Sequence, residues 1–409
     1  MESLKIALAS DWFFPSTGGI EHHIHDLAKN LVEQGHDVHI ITRLGEYPDN
    51  TLPYTVHRFK GRITVDSFHV SIGVDLLKRV NELYKKEHFD ITHGHSIYSP
   101  IAVGVSNLSS GIRGVPSIIT NHSFLGNSIL NPTYILLLQT SLRKIDGFIA
   151  VSNAVKKDLE NILRGSLRNR PIYVVPNGID TNFWRPVEDK EEWKSKMGLD
   201  GGIVITTTSR LTKRKRVNVI PKLAKEIMEK YRIEDIKFVI IGDGPEKRRI
   251  KELIKAYHVQ DKVLMVGKQP REKVREYLWA SDIYLSPAIY EAFGIAALEA
   301  LSCGVPVVAN NHGGISEIVR HGVTGLISED DMELLENVLY LLNNIGLVEK
   351  MGKNARKIVK EAFTWEKIAK EIVEIYKKTI ETFEERPFIL YALHQMLKGG
   401  IKNAGVFNL

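Results

Sequence analysis

Two glutamates near residue 295 have the type and the spacing to hold a ligand rich in hydroxyl groups. Glu291 follows a strand-like run, and Glu299 comes after seven intervening residues, within a helical pattern. A carboxylate accepts hydrogen bonds from vicinal hydroxyls, so the pair suits a ligand with two polyols, a ribose and a hexose. The alternative is a helix cap at Glu291 and a surface residue at Glu299. Because apolar residues surround Glu299, its burial needs a donor, and we favour the ligand.

The start of the same helix is a predicted phosphate site. The pattern predicts that the helix opens near Phe293, which places Glu299 about two turns inside it. The first N–H groups of a helix have no intrahelical partner, and Gly294 has no side chain that would block an anion. We therefore expect the backbone at Phe293, Gly294 and Ile295 to contact the ligand.

A basic stretch follows a strand-like run in the same half of the chain. Arg210 supplies a planar fork of donors and Lys215 a point charge, which together can neutralise two phosphates. Residues 213–216 also fit a solvated helix start or a nucleic-acid patch. Interleaved aromatic residues are missing from this stretch, which disfavours single-stranded nucleic acid. We predict that Arg210 and Lys215 bind a nucleotide diphosphate.

The N-terminal half contributes a glycine turn. Gly18 and Gly19 lie between the first strand and the first helix, where parallel α/β folds bind ligands, although such a turn is often plain loop geometry. Their N–H groups and the helix dipole suit a phosphate. The turn lacks the Gly-x-Gly-x-x-Gly pattern, which disfavours a nicotinamide cofactor.

Several histidines lie near strand ends in this half. His93 and His95 share one face of a strand, and His122 ends another. No carboxylate or cysteine cluster completes a metal-ligand set, so we expect hydrogen bonding to phosphate or sugar rather than a metal. His122 is the residue we predict to be functional, whereas His93 and His95 fit a structural role equally well.

Strand-like and helix-like stretches alternate along the chain, as parallel sheets with crossover helices require. The predicted strands cover residues 5–10, 37–43, 91–96, 116–122, 147–152 and 172–177, then 203–210, 236–243, 263–268, 283–287 and 306–311. Helical periods cover residues 20–33, 74–86, 153–163 and 364–383. We place a hinge at about 180–195 and predict domains over 1–190 and 191–365, with 366–409 returning to the first domain.

Composition narrows the class of protein. The 409 residues suit two domains, and 43% hydrophobic and 25% charged content argue against a disordered or fibrous chain. The net charge of +6 favours an anionic partner. A single cysteine, Cys303 in an apolar run, excludes an intrachain disulfide and fits a reducing, cytoplasmic compartment.

The sequence has neither a signal peptide nor an apolar run of the ~20 residues that span a bilayer. Contact with a membrane would therefore be peripheral, at the inner surface. Residues 387–409 carry apolar residues at helical spacing with lysines nearby. This pattern predicts either a shallow membrane-surface helix or a helix packed on the first domain.

These motifs together resemble glycosyltransferase family 4, retaining enzymes with the GT-B fold of two Rossmann-like, doubly wound parallel-sheet domains facing a cleft. The resemblance covers roughly residues 5–375. It is carried by Gly18-Gly19, His122, Arg210 with Lys215, residues 242–245, Glu291 with Glu299, and residues 313–317. One departure is Arg216, since the family often has glycine after the lysine.

The resemblance implies a division of roles. Arg210 and Lys215 would bind the donor diphosphate, and Glu299 the ribose. Glu291 and the backbone of residues 293–295 would hold the donor hexose. Other implied contacts are Gly18, Gly19 and Gly242 with the donor, and His122 beside the reacting sugar. The implied catalytic set is His122, Arg210, Lys215 and Glu291, with no metal and no cofactor.

The first domain is similar to one branch, the catalytic subunit that adds N-acetylglucosamine to phosphatidylinositol. Residues 10–15, 18–24, 93–96 and 121–126 carry this likeness. It implies a UDP-N-acetylglucosamine donor and a lipid or small polyol acceptor, with Glu21, His22 and His95 on the acceptor side. A sugar-nucleotide epimerase of the same fold and a non-catalytic nucleotide-sugar binding module are the alternatives.

Overall fold

The computed structural model describes residues 3–16, 18–60, 63–65, 70–72, 74–124, 132–163 and 169–383. The strands of the first half are β1 (Lys5–Ala9), β2 (Asp37–Arg43), β3 (Thr55–Phe59), β4 (Ile63–Val65), β5 (Val70–Ile72), β6 (Ile91–His95), β7 (Ser117–Asn121), β8 (Gly147–Ala150) and β9 (Ile172–Val174). Its helices are α1 (Gly19–Glu33), α2 (Val74–Glu87), α3 (Pro100–Leu108), α4 (Pro132–Ser141) and α5 (Asn153–Ile162).

The second half repeats the alternation of strand and helix. Its strands are β10 (Ile203–Thr208), β11 (Ile236–Ile241), β12 (Val263–Gly267), β13 (Ile283–Ser286), β14 (Val307–Asn310) and β15 (Gly325–Ser328). Its helices are α6 (Lys190–Lys196), α7 (Ile220–Tyr231), α8 (Lys247–Ala256), α9 (Arg271–Trp279), α10 (Ile295–Ser302), α11 (Ile315–Ile318), α12 (Asp331–Leu342) and α13 (Ile345–Ala362). A final helix, α14, covers residues 365–383.

Two parallel sheets result, one in each half. The first has the order β3-β2-β1-β6-β7-β8-β9 and the second the order β12-β11-β10-β13-β14-β15, while β4 and β5 form a separate antiparallel pair. Strand order reverses between β1 and β6, and again between β10 and β13. Open parallel sheets bind ligands at such reversal points, beyond the carboxyl ends of the strands. The loops after these four strands therefore mark the expected site.

Helix α1 shows how the sequence fixes one such loop. Ile24, Leu27, Ala28 and Leu31 are fully buried and recur at the spacing of one helix face. The helix ends at Glu33, and Gly35 just beyond its cap has a φ of 91°, a left-handed conformation that glycine adopts without strain. Packing of this face on the first sheet holds the helix start, with its glycine turn, at the end of β1.

Alternate residues of β1 divide the core of the first half. Ile6 and Leu8 pack with α1 and α14, whereas Ala7 and Ala9 pack on the other face with α2 and α3. In α14 the contacts come from Trp365, Ile368, Ile372 and Tyr376, which recur every three to four residues. The last described helix thus packs on the first sheet although it follows the second.

The predicted strands are all present, most of them shorter by one to three residues at their C-terminal ends. The pattern missed β3, β15 and the β4-β5 pair. Both β3 and β15 are edge strands, which need only one neighbour, and β15 has only four residues. The prediction that Cys303 is buried is confirmed, since 6% of it is exposed. The predictions for Leu125, Gly126 and residues 387–409 lie outside the described residues.

Candidate active site

The loops after β10 and β13 meet because these strands are neighbours in the second sheet. Lys215, in the first loop, donates from Nζ to Oε2 of Glu291, in the second. The Ile289 N–H also donates to the carbonyl of Arg214, with 3.0 Å between N and O. The side chains of Lys215 and Glu291 are only 22% and 15% exposed, so little water separates the charges. Two residues that come from separate motifs in the sequence are therefore in direct contact.

The backbone of Glu291 is held by the glycine pair downstream. Its N–H donates to the carbonyl of His312 at 2.9 Å, and its carbonyl accepts from the Gly314 N–H at 2.7 Å. A Cβ at Gly313 would lie 2.2 Å from that carbonyl oxygen, and Gly313 has a φ of 107°. Only glycine satisfies both conditions. Gly313 and Gly314 thus orient Glu291.

Helix α10 begins at Ile295, later than the predicted start near Phe293. Gly294 is its N-cap with a φ of 98°, and a Cβ there would lie 2.6 Å from Ile315 Cδ1. The Phe293 ring is buried beside Phe363, with 6.3 Å between centroids, so only the backbone of Phe293 can contact a ligand. The first N–H groups of α10 are those of Ile295 and the residues after it.

The two domains approach each other closely at this helix start. A Cβ on Gly19, the first residue of α1, would lie 3.3 Å from Ile295 Cδ1. The starts of α1 and α10 therefore face each other across the cleft, and the missing side chain of Gly19 leaves room between them. Glu21 is 8% exposed, and its Oε2 would lie 2.7 Å from a Cβ on Gly18. The Glu21 carboxylate, in the first turn of α1, thus lies at the positive end of that helix.

Glu299 is the fifth residue of α10, just over one turn inside the helix rather than two, because the helix starts later than predicted. It is half-buried. Burial raises the pKa of Glu299 to about 7, with Arg271 acting against the rise and Asp26 adding to it. Near neutral pH this group therefore exists both as a carboxylate and as an acid, and only the carboxylate accepts hydrogen bonds from vicinal hydroxyls with both of its oxygens.

Arg210 lies on an exposed loop that a second loop supports. The Leu211 N–H donates to the Asp243 carbonyl at 2.9 Å. A Cβ on Gly242 would lie 1.9 Å from the Ser209 carbonyl oxygen, and Gly242 has a φ of 143°. Gly242 therefore lets the loop after β11 pack directly beneath Arg210.

The arginine after Lys215 takes a left-handed backbone. Arg216 has a φ of 51° and a ψ of 25° and ends the 3-10 turn of Lys213–Lys215. Glycine reaches this conformation without strain, which explains why the similar family often has glycine here. The Arg216 side chain pairs with Asp331 at 2.5 Å. The turn that presents Lys215 thus keeps its shape with a non-glycine residue.

The histidines of the first domain form one cluster. His95 Nδ1 and His122 Nε2 lie 3.2 Å apart, and the His23 ring meets that of His122 edge-on, with 4.6 Å between centroids. His93 contacts the Tyr376 hydroxyl at 2.7 Å and the Thr120 hydroxyl at 2.6 Å. His93 is therefore tied into the core, and fully buried His95 can reach a ligand only through His122.

Burial keeps these rings neutral. It lowers the pKa of His122 to about 3, and burial with the neighbouring His122 lowers the pKa of His93 to about 3. Ligand atoms of His23, His95 and His122 lie within 4.8 Å of one another, the one such group among the described residues. The sequence did not bring His23 into this group, because it lies on a helix and the other two lie at strand ends.

Two family models divide the chain between them. The model described as Glycosyltransferase Family 4 matches residues 17–183, and that of Glycosyl transferases group 1 matches residues 189–358. N-acetyl-alpha-D-glucosaminyl L-malate synthase of Bacillus anthracis is 30% identical, over 91% of this chain and 96% of its own length.

The chain belongs to glycosyltransferase family 4. A second relative is the phosphatidylinositol N-acetylglucosaminyltransferase GPI3 subunit of Saccharomyces cerevisiae, which is 28% identical over 92% of this chain and 84% of its own length. Among solved structures, HepE of Anabaena in complex with UDP and glucose matches with a TM-score of 0.76 and 19% identity, over 92% of this chain and 100% of its own. The fold is GT-B, as the sequence resemblance predicted.

For this family 4 member, sequence reasoning overlooked the contacts that close the cleft. Glu317 accepts at 2.9 Å from the N–H of Asn153 and at 3.1 Å from that of Ala154, at the start of α5 in the other domain. Ser152 Oγ donates to the Ala292 carbonyl at 2.6 Å. The final glutamate of the Gly-Gly motif therefore caps a helix across the cleft.

Arg271 is a second residue that sequence reasoning overlooked. It begins α9 just beyond the end of β12, at the same sheet edge as the site. That position, at the carboxyl edge of a parallel sheet, is the signal that could have identified it.

Over the described part of this family 4 chain, helices long and apolar enough to cross a membrane are absent.

Proposed function

We propose that this glycosyltransferase is a retaining, metal-independent enzyme that moves N-acetylglucosamine from UDP-N-acetylglucosamine to a hydroxyl of an inositol phospholipid. The contact between Lys215 and Glu291 beside the start of α10 carries the proposal. It puts a cation for the diphosphate next to an acceptor for sugar hydroxyls. Gly19 faces the same helix start from the other domain.

The two relatives support the donor. The names of both specify N-acetylglucosamine as the sugar transferred, although their acceptors differ. HepE, solved with UDP, shares the fold. The two relatives share a sugar donor but use different acceptors. We take this to mean that their C-terminal domains bind the same donor, and we assign that donor to residues 191–365 of this chain.

Retention is supported by the α-linked product that the name of the Bacillus anthracis enzyme specifies. UDP-N-acetylglucosamine is itself α-linked, so an α-product requires attack from the face that the diphosphate leaves. The bond between C1 and the diphosphate oxygen breaks, and the acceptor oxygen bonds to C1. The acceptor proton passes to the departing phosphate, so no side chain serves as base.

Each site residue has a part in this reaction. Arg210, Lys215 and the α10 N–H groups stabilise the charge on the departing diphosphate. Glu291 holds the hexose and Glu299 the ribose, with Gly18, Gly242 and the backbone of residues 293–295 shaping the donor site. Closure of the cleft brings Gly19 and His122 against the donor and excludes water.

The acceptor side is the N-terminal domain, residues 1–190, with helix α14 packed against its sheet. His22 and Glu21 lie in the first turns of α1, and His95 contacts His122. We assign these three residues to the acceptor side. An inositol phospholipid would be presented at the cytoplasmic face of a membrane, with peripheral contact.

The experiment is a screen for released UDP, with mass spectrometry of the product. UDP-N-acetylglucosamine would be supplied alone, with glycerophosphoinositol, with phosphatidylinositol and with L-malate. We expect α-linked product with the inositol acceptors. A new UDP-sugar without acceptor would show an epimerase, and donor binding without product under any condition would show a binding module.

A further inference from the structure

The N-terminal domain contains an apolar groove away from the histidine cluster. The cavity measures about 740 Å³ and lies between α2, α3 and α4. Its walls include Leu77, Ile97, Val103, Leu137 and Leu138. Such a volume and lining are typical of sites for apolar ligands.

Helix α4, which forms one wall, leaves apolar side chains exposed. Its sequence runs Tyr-Ile-Leu-Leu-Leu through residues 134–138, and Leu138 packs into the core. Leu136 and Leu137 point away from it and are 65% and 67% exposed. Ile112, on the opposite rim, is 69% exposed. The exposed face of α4 thus has Leu136 and Leu137 between two threonines, and these leucines form an apolar patch that no other described residue covers.

The groove begins where the acceptor side ends. Ile97 and Ser99 lie two and four residues after His95, in the loop beyond β6. Ser99 donates at 2.6 Å to Asp11, which follows β1 at the same reversal point. The loop beyond β6 thus contributes to both the acceptor side and the groove, so one end of the groove lies close in sequence to the histidine cluster.

The charge around the groove suits an anionic lipid. Lys78 on α2, and Arg143 and Lys144 just after α4, are exposed. Lys144 lies against Gly111 next to Ile112, since a Cβ on Gly111 would be 3.6 Å from its side chain. Basic residues around an apolar surface are typical of contact with anionic phospholipid.

The described part of the C-terminal segment, helix α14, does not occupy the groove. Helix α14 packs on the face of the first sheet that carries Ile6 and Leu8. Helices α2 and α3, which line the groove, pack on the other face with Ala7 and Ala9. The chain thus leaves the described residues on the side of the sheet opposite to the groove.

We infer that the groove between α2, α3 and α4 binds a hydrocarbon chain of the lipid acceptor. This inference rests on the proposed inositol-phospholipid acceptor. It assigns the acyl chain to the groove and leaves the head group to the acceptor side of the cleft. The long-chain lipid should therefore be used far better than its head group alone.

The test uses two variants. Leu137→Gln puts a polar group on the exposed wall without disturbing the core, and Val103→Trp fills the groove. The matched control is Met332→Gln, an equally exposed apolar residue, 70% accessible, in the other domain. Thermal unfolding of each variant would report on folding.

Binding is measured by sedimentation with vesicles of phosphatidylcholine and phosphatidylinositol at four to one. Transfer is measured with dipalmitoyl phosphatidylinositol and with glycerophosphoinositol. We expect both groove variants to lose about tenfold in vesicle binding and in kcat/KM for the lipid, with the head group unaffected. The control should match the unmodified chain.

The outcomes separate the two proposals. Transfer to both acceptors with unchanged vesicle binding in folded groove variants would overturn the groove while leaving the function in place. Vesicle binding that depends on the groove, without transfer to either inositol acceptor, would overturn the function and keep the groove. A concentration-dependent dimer lost in Leu137→Gln would show that a second copy covers the surface instead.

Discussion

Arg271 of the C-terminal domain forms an ion pair with Asp26 of the N-terminal domain, with 3.5 Å between Nη2 and Oδ2. Its Nη1 lies 3.4 Å from Nδ1 of His22. The guanidinium also lies over the ring of Phe183, 5.3 Å from its centroid, in the linker between the domains. Arg271 therefore joins both domains and their linker beside Glu299, and its charge limits the rise that burial causes in the pKa of Glu299.

Asp26→Asn should weaken closure of the cleft. The pair is partly buried, so its loss is worth about 1 kcal/mol, which corresponds to roughly a fivefold fall in kcat/KM for transfer. Steady-state kinetics would measure this fall, and small-angle scattering with UDP should show a larger radius of gyration. Glu276→Gln is the control, because it removes the pair with Lys273 within the same helix. Unchanged kinetics in Asp26→Asn would mean that the ion pair does not hold the closed form.

Glu299→Gln should make the protein more stable at alkaline pH and weaker in donor binding. The folded pKa of about 7 exceeds the usual 4.5, so the folded state holds this proton more tightly than the unfolded state. Stability contributed by Glu299 is therefore lost as pH rises from about 4.5 to 7. At pH 8 the neutral glutamine should raise the free energy of unfolding by ~1–3 kcal/mol, with little gain at pH 5.

Thermal unfolding at both pH values would measure the change in Glu299→Gln, and calorimetry with UDP should show affinity lower by about tenfold. Glu252→Gln, at an exposed pair with Arg248, is the control for loss of a charge. Donor affinity equal to that of the unmodified chain would remove Glu299 from the ribose site.

Lys215→Ala should lose turnover more than donor affinity. Its ammonium would stabilise a charge that grows as the diphosphate departs, an effect worth about 10²–10³ in kcat when one such donor is removed. Lys213→Ala changes an exposed lysine in the same turn and should keep normal activity. Equal kinetics for the two variants would show that the diphosphate lies elsewhere.

Much of this fold follows from local patterns. Runs of β-branched residues separated by amphipathic helices define most central strands, because strands buried on both faces are largely apolar. The edge strand β3 (Thr-Val-His-Arg-Phe) carries polar residues, so the pattern missed it, whereas the more apolar edge strands β9 and β12 were predicted. The predicted start of α10 was wrong for a different reason. Phe293 has helix-like spacing, but Gly294 adopts a left-handed φ that ends any earlier turn.

Sequence patterns select candidate site residues within single loops, but not the contacts made where the two domains meet. Glu299 stood out as a charge within apolar surroundings, Glu291 by its place after a strand, and Lys215 by its basic stretch after another strand. Glu317 did not stand out for its contact with Asn153, because that hydrogen bond crosses 164 residues of sequence. Asp26 and Arg271 are separated in the same way, and only the arrangement of the two domains brings such residues together.

The histidine cluster allows a test of metal independence and of the pH profile together. Neutral imidazoles are competent metal ligands, and three of them converge around His122, yet His95 and His122 are already 3.2 Å apart as a hydrogen-bonded pair. We therefore expect activity to be unchanged by EDTA. Since burial lowers the pKa of His122 to about 3, its ring stays neutral above about pH 4 and adds no ionisation between pH 5 and 9.

The acidic limb of kcat/KM should instead lie near pH 7, where Glu299 loses its proton. The Glu299→Gln variant should flatten this limb, whereas His122→Asn, which removes a neutral hydrogen-bonding ring beside the reacting sugar, should lower kcat by about 10²-fold without moving it. Rate against pH in both variants, with and without EDTA, would measure this. A limb that disappears in His122→Asn would assign the ionisation to the imidazole. Activity lost to EDTA and restored by Zn²⁺ would show that the cluster of His23, His95 and His122 binds a metal ion.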